Sequence, residues 1–178
     1  GLIKEIEAPQ IGCWISVVEP TEEEIYALID DYNLDSGFVK SSLDEEESSR
    51  IEKEDDQTLI IIDTPVSSVD NDETLFFYTL PIGIILTENY VFTISSKSTR
   101  IVSEAMNGSI RNLATQMKTR FVLQLLLRIT TLFLFYLKQI EKTSSMAEQG
   151  LHNAMQNKLL MQLLELEIPV VLALNMMD

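Results

Sequence analysis

Residues 43–63 read LDEEESSRIEKEDDQTLIIID. An acidic run, broken only by Arg50 and Lys53, leads directly into a short apolar run of β-type residues at 59–62. The pattern sets dense carboxylate beside a strand that reads as buried. Such carboxylate has three readings: a solvated face, a cation site or a dock for a basic partner. Each implies a different function.

The whole chain shares the bias. Its 178 residues carry 28 acidic against 13 basic side chains, a net charge of −15. Nucleic-acid binding needs a basic footprint, and docking on anionic lipid needs basic clusters; this balance argues against both. It suits a self-repelling surface or one that attracts cations. The hydrophobic fraction of 46% excludes global disorder, and the length can bury a core. The single cysteine, Cys13, permits no intramolecular disulfide, and beside Trp14 in a strand-like run it reads as a buried thiol. The opening GLIKEIEAPQ lacks the apolar core of a signal peptide.

Residues 121–137, FVLQLLLRITTLFLFYL, are the best membrane candidate. The stretch is shorter than the ~20 residues a span needs, and it carries Gln124, Arg128, Thr130 and Thr131. Arg120, Gln124, Arg128, Thr131, Lys138 and Lys142 fall near one helical stripe, with Leu, Phe and Ile filling the rest. This predicts a long, mostly buried helix of a soluble domain.

Around the opening stretch the pattern divides near residue 97. The first part predicts a strand over 11–18. A helix follows from Thr21, whose TEEE makes a capping box with Glu24, and ends near Asn33. A short helix fits 35–42. Strands follow around 50–53, 59–64, 74–80 and 82–86. Thr87-Glu88-Asn89 turns the chain into a hairpin strand over 90–95. Residues 65–72 read as a polar connection tipped by Asp70 and Asp72. The second part is helical. Ser98 or Thr99 caps a helix that stops at Asn107-Gly108, and a long helix runs from about 115 to 143. Ser144 or Ser145 starts another, carrying Leu151, Met155, Leu159, Gln162 and Leu166 as a packing seam that can join subunits. The tail over 168–174 reads as a strand.

Catalytic patterns are absent: there is no HExxH, CxxC, GxSxG, P-loop or GxGxxG. The only histidine, His152, sits in a helix pattern and reads as a surface or seam residue. The clustered acids flank strands with few aromatics to form a sugar groove, so no enzymatic activity is expected. Asn175 and Asp178 form NxxD, the guanine-reading pattern of GTP-binding proteins, but nothing here could cradle phosphates.

Three stretches carry a resemblance. They are GCWISVVEPTEEEIYALIDDYNL, then LDEEESSRIEKEDDQTLIII, then LPIGIILTENYVFTISS. In this order they resemble the cytoplasmic N-terminal domain of CorA-type magnesium transporters. The points of likeness are Pro20 to Glu24 (P-T-x-E-E), Leu43 to Arg50 with Ile51-Glu52, and Pro81 to Tyr90 (P-x-x-I-I-L-T-x-x-Y). RFVLQLLLRITTLFLFYLKQIEK is similar to a helix of the family, and AEQGLHNAMQNKLLMQLLELE to its stalk. The likeness covers roughly residues 3–167 and fades at Ile168.

The resemblance implies an α/β (α+β) fold: a mixed β-sheet between helical layers, followed by long C-terminal stalk helices. Residues 1–143 would form the domain and 144–167 the start of the stalk, leaving 168–178 unassigned. It implies a Mg2+-sensing regulatory domain of a homopentameric divalent-cation channel, on the cytoplasmic side of the membrane. Copies of the chain would be its partners, and membrane contact would come only through a missing C-terminal part. The regulatory Mg2+ would lie between subunits, on Asp70, Asp72 and Glu73 with an acid from a neighbour's stalk. The alternative is a stand-alone acidic interaction module assembling through its C-terminal helix.

Overall fold

The computed structural model describes residues 4–69 and 75–175, and for 162–175 the backbone alone. The chain divides into two compact units, residues 1–134 and 135–178.

The first unit is built on one five-stranded sheet. Its strands are β1 (Trp14–Val18), β2 (Arg50–Glu54), β3 (Gln57–Val69), β4 (Leu75–Leu86) and β5 (Val91–Ser95), in the order β1-β5-β4-β3-β2. β1 runs parallel to β5 and the other neighbours are antiparallel, so the sheet is mixed as expected. Alternation along the strands decides which side each residue faces. Leu59, Ile61, Ile85, Phe92 and Ile94 point to one face, where Leu28, Leu34, Phe38 and Val39 cover them. Ile82, Ile84 and Val91 point to the other, under Ile101, Val102, Phe121, Leu125 and Ile129. The first cover comes from α1 (Glu22–Asp30) and α2 (Ser36–Leu43). The second comes from α3 (Arg100–Met106) and the start of α4 (Lys118–Asn175). Each fully buried Phe, Ile or Leu contributes about 1.5–3 kcal/mol, so these two layers dominate stability.

Local chemistry places the helices. Thr21 and Glu24 form the predicted capping box, worth about 1 kcal/mol. The Asp35 carboxylate accepts from the Phe38 amide and caps α2. Thr99 holds the N-cap position of α3 with no side-chain cap bond, and the Ser98 amide instead donates to Glu19 Oε1. Cys13 is half-buried rather than buried.

Several sequence expectations are corrected. The stretches 74–80 and 82–86 are one strand, and β3 runs on past Thr64 to Val69. Pro65 and Pro81 do not break them because both lie beyond the last pairs with β2 and β5, where one edge of each strand is open. No second helix starts at Ser144, since α4 continues to Asn175, and the 168–174 segment is helical despite Pro169. A helix satisfies its backbone groups within the segment, whereas a strand needs a neighbour. The guanine-reading pattern thereby loses the strand it would follow, and Asp178 lies outside the described residues.

A further correction concerns burial of α4. Part of it is long and apolar enough to cross a bilayer by length and composition alone. In the first unit, however, Phe121, Val122, Leu125, Ile129 and Leu132 pack in the core, while Leu123, Leu127 and Leu134 are exposed. The helix is buried on one side, not around its circumference.

The tightest contact between layers is α2 on β4. A Cβ built on Gly83 would stand 1.9 Å from Ser42 Oγ and 2.4 Å from Ser42 Cβ. Gly83→Ala is therefore expected to destabilise by about 1–3 kcal/mol, read as a lower thermal midpoint. Adding Ser42→Gly should recover part of the loss, whereas Ser42→Ala, which keeps the Cβ, should not. A Gly83→Ala protein as stable as the parent would refute this packing.

Candidate metal centre

The sequence places its candidate metal ligands, Asp70, Asp72 and Glu73, on the connection between β3 and β4. All three lie outside the described residues. The ribbon that carries them is described. Pairs from Ile62↔Ile82 to Val69↔Leu75 extend past β2 and β5 as two strands with no third among the described residues. Leu80 and Ile82 remain buried at its root, while Val69, Leu75, Phe76 and Tyr78 are exposed further out. Phe76 and Tyr78 stack at 5.8 Å between ring centroids. Two-stranded ribbons are marginal alone, so this stacking and the buried root support the projecting arm. Among the described residues no group of three or more His, Cys, Asp or Glu side chains converges on one point.

Half of the acids in the run that dominates the sequence take side-chain hydrogen bonds or ion pairs. Asp44 Oδ1 accepts from the Glu46 amide at 3.0 Å. Lys97 Nζ lies 2.7 Å from Glu45 Oε1 and ties the end of α2 to the segment after β5. That ammonium's hydrogen bond, with one from Ser96, holds the Glu45 carboxyl below its usual range. Arg50 reaches Glu47 at 2.6 Å and Glu52 at 3.0 Å. The Glu47 carboxyl is lowered by its hydrogen bonds to Ser41 and the Ser48 amide, with a further contribution from Arg50. Asp55 and Asp56 form the two-residue turn between β2 and β3, with Asp55 at φ 48°.

Sequence reasoning missed the ion cluster joining α3 to α4. Glu104 receives Arg128 through Nε at 2.5 Å and Nη2 at 2.8 Å, and Arg100 Nε at 2.9 Å. In sequence Arg128 is one member of a polar stripe; its partner lies 24 residues away, beyond any local pattern.

The model of the CorA-like Mg2+ transporter protein family matches residues 9–172. The chain belongs to the CorA-like Mg2+ transporter family. Its fold is that of the CorA soluble domain. The soluble domain of CorA from Methanocaldococcus jannaschii matches with a TM-score of 0.61 and 25% identity, covering 72% of this chain and 51% of that one. The complete CorA magnesium transporter from the same organism matches in fold, with a TM-score of 0.60, 23% identity, and coverage of 79% and 44%. The chain thus spans about half the length of these structures. No curated protein sequence matches it significantly.

The Glu104 cluster gives a pH prediction. Hydrogen bonds from Arg128 first, then Arg100, hold the Glu104 carboxyl below its ordinary value against the opposing effect of burial. A carboxylate with a depressed folded pKa stabilises fully above its unfolded value, and that stabilisation is lost as pH falls through the folded one. Glu104→Gln is therefore expected to cost about 1–3 kcal/mol in urea unfolding at neutral pH. Below 4.5, the ordinary glutamate value, its stability should fall less steeply than the parent's. Parallel pH profiles for the two proteins would show that the cluster is not the titrating element.

Proposed function

We propose that this chain is the Mg2+-responsive regulatory domain of a CorA-like divalent-cation transporter, placed on the cytoplasmic side of the membrane. The observation that carries the reading is the family match over residues 9–172, on a sheet of the CorA soluble-domain type. The β3–β4 ribbon supports it, because its exposed end at Val69 and Leu75 flanks the acids of 70–73 in sequence.

Mg2+ is a hard cation that keeps several waters and takes one or two carboxylates. Asp70, Asp72 and Glu73 would supply carboxylate from one copy, and a second copy of the chain, in a homopentamer, would supply another. In a chain of net charge −15, neighbouring copies repel until divalent ions offset that charge. Mg2+ therefore favours the closed-up assembly, because a ligand shifts an equilibrium only towards the state it binds better. The role is that of a sensor in a transport protein, not of an enzyme.

The test uses the intact parent transporter. Raising free Mg2+ to ten times its Kd should add about 1.4 kcal/mol of stability per site and slow proteolysis. The triple variant Asp70→Asn, Asp72→Asn, Glu73→Gln should lose both responses. Mg2+ that leaves the parent unchanged, or protects the variant equally, would sink the proposal.

A further inference from the structure

Four buried hydroxyls have no hydrogen-bond partner among the described residues: Ser16 Oγ, Thr64 Oγ1, Ser95 Oγ and Thr99 Oγ1. Thr64 stands apart on β3, but the other three share one end of the sheet and one face of it. Side chains alternate along a strand, so Ser16 follows Trp14 and Val18 of β1 to the side that α3 and α4 cover. By the same alternation Ser95 follows Val91 of β5. The two strands run parallel, with Ser16 beside Thr93 and Val18 beside Ser95. Thr93 faces the same way, since its Oγ1 accepts from Trp14 Nε1 at 2.8 Å. Thr99 opens α3, whose Ile101, Val102 and Ala105 lie in that same core. Ser95 is 0% exposed and Thr99 2%, and the Ser16 hydroxyl is as closed to solvent as theirs.

We propose that an ordered internal water occupies this end of the sheet, held by the hydroxyls of Ser16, Ser95 and Thr99. Leaving a buried hydroxyl unmet costs free energy. Backbone oxygens at this end are engaged. The Ser95 carbonyl accepts from the Glu19 amide at 3.0 Å, and the Thr99 carbonyl from Ser103 Oγ at 3.2 Å. The Thr99 hydroxyl makes no cap bond to α3. Water matches the set, because a hydroxyl and a water can each donate and accept. Internal waters make about three hydrogen bonds, and the three orphaned hydroxyls supply that number. A dehydrated cation needs charged or more numerous oxygens, and neutral hydroxyls offer neither. Elsewhere this face is filled by Ile82, Ile84 and Val91, whereas here the side chains are smaller. One molecule thus ties β1, β5 and α3 together where the first strand meets the rest of the sheet.

The inference does not rest on the Mg2+ reading, and it is tested on the 178-residue chain in a chelator. A crystal structure fine enough to place waters should show one within hydrogen-bond distance of Ser16 Oγ, Ser95 Oγ and Thr99 Oγ1. In solution, magnetic relaxation dispersion of the solvent oxygen signal counts long-lived internal waters. The combined variant Ser16→Ala, Ser95→Ala, Thr99→Val should lower that count by about one. Thr99→Ser, which keeps the hydroxyl, should leave it unchanged. Ser95→Ala alone should lower the thermal midpoint, because it takes a partner from the water. At a dry site the same change would remove an unmet polar group and raise the midpoint. The crystal structure of the parent decides the question even where the combined variant does not fold. Hydroxyls turned onto protein oxygens with no water between them would overturn the proposal. So would a cation in the site, a count that the combined variant leaves unchanged, or an unchanged or higher midpoint for Ser95→Ala.

Discussion

Sealing both faces of the central strands is the constraint on which the first unit depends. Phe92 and Ile94 look towards α1 and α2, while Val91 and Ile84 look towards α3 and α4. A sheet covered on both sides has no polar face, so the 59–62 run carries four apolar residues in a row instead of alternating. It also needs helices on each side, and the chain supplies a pair before β2 and a pair after β5. The near contact of Gly83 with Ser42 shows how closely one of those layers is set down.

Much of this was legible because the signals were local. The capping box at Thr21 and Glu24, the Thr87–Asn89 turn and the apolar run at 59–62 each declare an element within a few residues. What was not legible depended on distant neighbours. Pro81 reads as a strand breaker until β5 is seen to end short of it. Pro169 and the valines after it read as extended chain, although the helix carries through to Asn175. The face of α4 turned to the core and the face left bare are both apolar, so composition could not tell them apart.

The candidate site was harder to read for an electrostatic reason. A run of carboxylates in sequence suggests one pooled charge, but the fold distributes it. Glu45 is drawn to Lys97, Glu47 and Glu52 to Arg50, and Asp44 to a backbone amide. The run lies within the stretch that matches the CorA-like family, whereas Asp70, Asp72 and Glu73 follow β3 in sequence.

The parallel pairing of β1 with β5 has a consequence for the order of assembly. Hairpins β2–β3, β3–β4 and β4–β5 close over short loops, but the Trp14 indole reaches Thr93 across 79 residues. Closing a long loop costs entropy before its contacts form, and such contacts slow folding. During synthesis β1 emerges first yet has no strand to lie against until the β4–β5 hairpin exists. The first strand made is therefore the last to join the sheet, and its apolar residues must wait, exposed, for the rest of the domain to catch up.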